Sequence, residues 1–264
     1  MAMAVVGVAA SPSRSLACSP RPPPPCAPRR RGPTAPRASG AAEAAVEIRV
    51  CTNRTCARQG GREVLAALGG LAPPPPRVDV ASCGCLGRCG AGPNVSASVP
   101  DRGAAVFGHV GTAARAAQLL EHLLGAAEFD AEAGLAALAV REKAEAALAE
   151  GNAAEAEALF TESLGMNAPG GLHLVYGSRC KARLAIGDIV GALADAEEAT
   201  RIAPKFPQSH LSRGDALFAM GEYHSAEGAY ADALAFDPSI RRSKSFKARL
   251  EKLREKLVSV SSSS

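Results

Sequence analysis

The spacing of apolar residues divides the chain into two parts with different predicted secondary structure. From about residue 46 to residue 125, short apolar runs are separated by Gly and Pro. From about residue 131 to residue 257, apolar residues recur at helical spacing. Alternating β-branched runs predict strands, and apolar positions three or four residues apart predict helices. We therefore expect a small mixed α/β domain followed by an all-α domain.

The first part is predicted to have the element order β-α-β-β-β-α. Strands are indicated at 46–50, 77–81, 95–99 and 104–110, and helices at 61–71 and 113–124. Thr112 is a candidate cap for the last helix, because its hydroxyl can accept a hydrogen bond from a backbone N–H of the first turn. A β-α-β start followed by a hairpin and a helix is a thioredoxin-like arrangement.

The second part contains an internal repeat. Four residues recur 34 positions later: Gly187, Ala192, Ala199 and Pro204 become Gly221, Ala226, Ala233 and Pro238. A weaker copy starts at Gly151 and is 36 positions from the next, with Gly170-Gly171 as an insertion. The Gly would end one helix, and the small Ala residues would let two helices pack closely.

This repeat resembles the tetratricopeptide repeat family, whose units are 34-residue helical hairpins. Three such repeats span about 137–238, and a last helix at about 243–257 would cap the stack. The resemblance implies an all-α solenoid over 131–257 with a protein partner on its concave face. Residues 258–264 are Ser-rich and are predicted to be disordered.

The first 40 residues differ in composition from the rest of the chain. They contain six arginines and no Asp, Glu or Lys. Such composition is typical of an organelle transit peptide, which we place at 1–43 as a disordered leader. The run Pro22–Pro25 opposes the amphipathic helix of a mitochondrial leader. We therefore expect the chloroplast stroma, with the mitochondrial matrix as the alternative.

Charge and hydropathy argue against nucleic-acid binding and against a transmembrane segment. The formal charge is +4, but 24 basic and 26 acidic residues remain once the six arginines of the leader are set aside. The one basic concentration, at 241–256, is interleaved with Glu251 and Glu255 and is typical of a solvated helix face. We predict neither a nucleic-acid partner nor a transmembrane segment, since no apolar run approaches about 18 residues.

Five of the eight cysteines lie between residues 51 and 89. Cys51 and Cys56 form a C-x4-C pair after the first strand, and Cys85 and Cys89 form a C-x3-C pair after the next. Parallel strands of a βαβ unit end at the same edge of the sheet, so the two pairs should lie close together. In a reducing organelle, this cysteine content favours metal or redox chemistry over structural disulfides.

The cysteine motifs resemble the thioredoxin-like 2Fe–2S ferredoxins, including the small ferredoxin-like subunit of respiratory complex I. The resemblance covers about 46–125 and includes C-L-G-x-C-G-x-x-P, from Cys85 to Pro93. It implies a thioredoxin-like ferredoxin domain at 44–127 that binds a 2Fe–2S cluster. The implied ligands are Cys51, Cys56, Cys85 and Cys89. Cys83 departs from the family pattern and could compete with Cys85, and both zinc and metal-free thiols stay open as alternatives.

Other candidate residues have simpler interpretations. His173, His210 and His224 fall on repeat helices without partner ligands, and we expect His210 and Cys180 to be packing residues. Some repeat domains hold the C-terminal carboxylate of heat-shock chaperones with Lys, Asn and Arg. The matching positions are Arg141, Glu145, Ser178, Gln208 and Ser212. Only Arg141 keeps the required chemistry, so we do not expect that kind of binding.

Two hypotheses for function follow. The first is a 2Fe–2S chloroplast protein for one-electron transfer or redox sensing, docked to a protein partner through its repeats. The alternative is a repeat scaffold or assembly factor in which the cluster is structural, regulatory or absent. The chain has no Ser-His-Asp set, P-loop or GxGxxG, so we predict no enzyme, at most an electron-transfer subunit of a larger oxidoreductase.

Overall fold

A computed structural model describes residues 46–100 and 102–261. The predicted leader at 1–43 lies outside these residues, so the expected localisation stays a prediction. None of the described helices is long and apolar enough to cross a membrane.

Four strands form one mixed sheet in the order β2-β1-β3-β4. They are β1 Val46–Cys51, β2 Val78–Cys83, β3 Val95–Val99 and β4 Gly103–Phe107. β1 pairs parallel with β2 and antiparallel with β3, which pairs antiparallel with β4. Val46, Ile48 and Val50 alternate as buried residues along β1. The predicted sheet is present, whereas the finer assignment to a thioredoxin-like ferredoxin fold is not confirmed.

Three helices accompany the sheet: α1 Arg54–Arg58, α2 Gly61–Leu71 and α3 Ala113–Leu124. Val64 and Leu68 of α2 join Leu120 of α3 in one apolar core with the inner faces of the strands. Thr112 caps α3 as predicted, with its Oγ1 accepting a hydrogen bond from the backbone N–H of Arg115. The short helix α1 was not predicted, and it carries Cys56 into the interior.

Seven more α-helices follow in the described residues. They are α4 Ala131–Ala149, α5 Ala153–Gly165, α6 Leu172–Ile186, α7 Ile189–Ile202, α8 Pro207–Met220, α9 Tyr223–Phe236 and α10 Lys244–Ser261. α4 to α9 form three helical hairpins, which confirms the repeats. Gly151, Gly187 and Gly221 each follow the first helix of a hairpin at positive φ, a conformation that Gly adopts without strain. α10 packs on the last hairpin and continues to Ser261, beyond its predicted end.

Packing inside the second hairpin differs from that of its neighbours. Ala196 occupies the repeat position that Phe160 and Tyr230 fill in the first and third hairpins. Arg179 instead donates two hydrogen bonds to the buried Asp195, at 2.9 and 2.6 Å. Arg183 pairs with the same carboxylate at 3.1 Å and with Glu157 of α5 at 3.1 Å. Ion pairs therefore replace aromatic packing inside the second hairpin, and Arg183 also links it to the first hairpin.

The C-terminal end of α2 lies directly against the repeats. The buried Arg141 of α4 donates a hydrogen bond to the carbonyl of Gly70, at 3.0 Å. Gly171, just before α6, donates its N–H to the carbonyl of Ala72, at 3.3 Å. A Cβ on Gly170 would overlap the carbonyl of Leu71. Because neither glycine has a side chain, the Gly-Gly insertion lets the backbone before α6 contact the backbone at the end of α2 directly.

We expect Gly170→Ala to destabilise the protein by about 1–3 kcal/mol, because the added methyl group overlaps backbone that cannot rotate away. Gly69→Ala is the matched control, since a Cβ there meets nothing within 4 Å. Because Gly69 lies within the last turn of α2, that control change should be neutral or stabilising by up to about 1 kcal/mol. Urea unfolding measures both, and equal stability of the two variants would contradict the close approach of α6 to α2.

His173 at the start of α6 generates a second prediction. Its ring packs edge-on against Phe206, with 4.9 Å between centroids, and its Nδ1 is buried without a hydrogen-bond partner among the described residues. Burial, and secondarily the charge of Arg141, lowers the pKa of His173 from 6.5 to about 4. Between these two pH values, His173 is therefore protonated in the unfolded chain and neutral in the folded protein.

Stability should thus be lost as pH falls from about 6.5 towards 4. Between about pH 7.5 and about pH 5 the His173 contribution amounts to about 2 kcal/mol. The variant His173→Phe has no titrating group at this position. From about pH 7.5 to about pH 5, its free energy of unfolding should therefore fall by about 2 kcal/mol less than that of the unmodified chain. Identical pH dependence of the two proteins in urea unfolding would show that the imidazole does not stay neutral.

Candidate functional site

The structure places all five clustered cysteines near the ends of β1 and β2. Cys51 ends β1 and Cys83 ends β2, and the two are directly opposite in the parallel register. Cys56 lies in α1, Cys85 follows β2, and Cys89 begins a short 3₁₀ turn, Cys89–Ala91. Their proximity follows from the parallel pairing of the two strands.

Cys51 and Cys56 form a buried pair. Their exposed fractions are 1% and 2%, and the two side chains lie next to each other. The Asn94 side chain donates a hydrogen bond to Cys56 Sγ, at 3.7 Å. Burial raises the pKa of Cys56, and contact with Cys51 adds to this, which outweighs the hydrogen bonds from Asn94. The Cys56 thiol is thereby held in the protonated form.

Cys85 and Cys89 form a second, exposed pair. Their Sγ atoms are 3.5 Å apart. The N–H of Gly87, between them, donates a hydrogen bond to Cys85 Sγ at 3.4 Å. Cys83 is half-buried between the two pairs, and burial together with the neighbouring Cys51 raises its pKa. The cysteines therefore occupy two different environments.

These environments do not fit a 2Fe–2S cluster, which needs four thiolates around one pair of iron atoms. Within 46–100 and 102–261, no group of three or more Cys, His, Asp or Glu side chains is arranged to hold a metal ion. The prediction of a 2Fe–2S cofactor is therefore wrong, and the same observation removes the zinc alternative. The assignment of Cys51, Cys56, Cys85 and Cys89 as a functional site stays a prediction, now without a metal.

A second candidate site lies on the first helices of the repeats. Two clefts of about 400 and 470 Å³ run beside α8 and α10 and share Ser245 and Arg249. We call them together the α8–α10 groove. Its other lining residues include Lys181, Gln208, Leu211, Asp215, Phe218 and Lys252. A helix outside the three hairpins thus supplies one wall of the groove.

Paired charges fix the floor of the α8–α10 groove. Arg249 of α10 donates two hydrogen bonds to Asp215 of α8, at 2.7 and 2.8 Å. The Tyr230 hydroxyl donates to the same carboxylate at 2.8 Å, and burial together with this carboxylate raises the pKa of Tyr230. Lys181 and Lys252 are exposed and make no ion pair among the described residues. The groove therefore keeps positive charge available to a ligand.

The positions matched to a chaperone carboxylate clamp are used differently. Arg141, the one basic residue among them, is 8% exposed, bonded to Gly70 and ion-paired with Glu145 at 3.3 Å. Ser212 is buried, whereas Gln208 lines the α8–α10 groove. His210 and Cys180 are buried, as predicted, and His173 is buried as well.

Comparison with known proteins supports a repeat domain. No family model matches the chain. The small glutamine-rich tetratricopeptide repeat-containing protein 2 of Mycosarcoma maydis is 36% identical over 88 residues, which are 33% of this chain and 24% of that protein. The chain thus spans about a quarter of the length of this curated relative.

Two solved repeat domains are also similar. The Sgt2 domain of Aspergillus fumigatus is 26% identical, covers 47% of this chain and 81% of that one, and has a TM-score of 0.43. The first repeat domain of Spaghetti (RPAP3) bound to the HSP90 peptide SRMEEVD is 21% identical, with coverages of 50% and 98% and a TM-score of 0.42. Both scores are below 0.5, so we draw no conclusion from either similarity.

The C-terminal region is thus a helical solenoid of the tetratricopeptide repeat type. The curated relative is a repeat-containing protein, and it gives no support to the iron–sulfur, ferredoxin, chloroplast or electron-transfer interpretation. That interpretation came from cysteine spacing, which the structure distributes over a buried pair and an exposed pair. The iron–sulfur, ferredoxin and electron-transfer predictions are therefore corrected together with the cofactor.

Proposed function

We propose that the repeat region is a non-enzymatic protein-interaction scaffold whose α8–α10 groove takes up an extended segment of a protein partner. The observation that carries this proposal is the pair of clefts that meet at Ser245 and Arg249, between the third repeat and α10. This function corresponds to the scaffold alternative and needs no cofactor. The boundaries 44–127 and 131–257 for the two described domains remain part of the proposal.

The chemistry of the groove favours an acidic segment. Lys181 and Lys252 are exposed, while the charge of Arg249 is balanced by Asp215. The segment 241–256, which includes most of α10, has eight basic and two acidic residues. Phe218 and Leu211 add apolar surface between the charges. A partner segment with Asp or Glu residues and at least one apolar side chain complements these groups.

The first repeat contacts the end of α2 through Arg141 and is not assigned to partner binding. Arg141 is occupied by the Gly70 carbonyl and by Glu145, so it is not available to a partner carboxylate. Binding is therefore assigned to the second and third repeats and α10, and not to a clamp that begins in the first repeat.

Selection of a random displayed peptide library against the full chain tests the proposal. We expect enrichment of peptides with acidic residues and an apolar residue, and their binding should weaken as salt is raised. Lys181→Glu combined with Lys252→Glu should lower affinity for a selected peptide about tenfold, since each exposed charge pair contributes up to about 1 kcal/mol.

Lys143→Glu is the matched control, because Lys143 is exposed on α4 and lines neither cleft. This variant should bind a selected peptide as the unmodified chain does. Enrichment of basic peptides would contradict the assignment of binding to the α8–α10 groove. An equal loss of affinity in the Lys181→Glu/Lys252→Glu variant and in Lys143→Glu would also contradict it.

A further inference from the structure

The exposed cysteine pair is placed for chemistry of its own. Cys85 and Cys89 are both exposed, and their Sγ atoms lie 3.5 Å apart. A disulfide bond is about 2.05 Å long, so the sulfur atoms must approach each other by only about 1.5 Å to form one. We propose that Cys85 and Cys89 are a redox-active dithiol that closes into an intramolecular disulfide. This site is independent of the α8–α10 groove.

The loop around the pair has room for this movement. An added Cβ on Gly84, Gly87 or Gly90 would meet nothing within 4 Å, so the backbone here is not packed against other elements. Gly87 adopts a positive φ of 80° and turns the chain between the two cysteines. Small backbone rotations can therefore close the gap between the sulfur atoms without disturbing the core.

The two ends of the loop are nevertheless held in place. The Asn94 side chain donates a hydrogen bond to the carbonyl of Arg88, at 2.7 Å. The Gly87 N–H donates to Cys85 Sγ. These bonds keep the two thiols near each other, which raises the effective concentration of one for the other.

The other described cysteines lack this combination of proximity and access. Cys51 and Cys56 are in contact but only 1% and 2% exposed, so a reagent cannot reach their sulfur atoms. Cys180 is fully buried and has no neighbouring thiol among the described residues. Cys83 is half-buried and lies opposite Cys51. Oxidation should therefore select the 85–89 pair.

The co-reactant is a low-molecular-weight disulfide such as oxidised glutathione. One cysteine thiolate attacks it, forms a mixed disulfide and displaces one glutathione thiolate. The second cysteine attacks the mixed disulfide, forms the Cys85–Cys89 bond and displaces the other glutathione thiolate. The two protons lost by the protein thiols end on the two glutathione thiols. The protein is thereby oxidised by two electrons, and one glutathione disulfide is reduced.

Peptide mapping of the full chain tests the proposal. After incubation with oxidised glutathione and alkylation of the remaining thiols, trypsin cuts after Arg77, Arg88 and Arg102. The Cys85–Cys89 disulfide should join the peptides 78–88 and 89–102, and a reducing agent should separate them. We expect this linked species to exceed any link to Cys51 or Cys56 at least about tenfold.

Because peptide 78–88 also contains Cys83, two matched variants locate the bond. Cys83→Ser should keep the linked species, and Cys85→Ser should lose it. Absence of the link in the unmodified chain would overturn the proposal. A link that persists in Cys85→Ser, or that disappears in Cys83→Ser while circular dichroism shows an intact fold, would also overturn it.

Discussion

The backbone at the start of α6 is in direct contact with the backbone at the end of α2, and the arrangement of the described residues depends on this contact. Gly171 N–H bonds to the Ala72 carbonyl, and Gly170 lies where a larger residue would overlap Leu71. Arg141 closes the same contact from α4 through Gly70. The end of α2 is therefore packed on the first two repeats, while α8, α10 and Lys181 of α6 are left to form the groove.

Local and periodic features of the structure could be predicted from the sequence. The strands were indicated by alternating β-branched residues, and the hairpins by residues that recur 34 positions apart. Each repeat contacts its neighbours, so its pattern is readable from a short stretch of chain. Contacts between distant segments could not be predicted in this way. Arg141 and Gly70 are 71 positions apart, and nothing in either segment specifies the other.

The cysteines show the same limit. Their spacing predicted that both pairs would lie at one end of the sheet, but not which side chains would be buried. The unpredicted helix α1 carries Cys56 into the interior beside Asn94, whereas the Gly-rich loop leaves Cys85 and Cys89 in solvent. Burial, and not spacing, separates the two pairs and removes the common metal centre. Likewise, the basic segment of α10 was interpreted as a solvated face, although Arg249 and Lys252 line a groove.

The central claim is that a partner segment lies between the third repeat and α10. The most direct measurement follows backbone amide NMR shifts of the full chain as an acidic, apolar-containing peptide is added. The account predicts shift changes concentrated at Lys181, Leu211 and Lys252. It predicts none at Val190, which is 74% exposed and outside the groove. Changes confined to the sheet, or to α5 and α7, would contradict it.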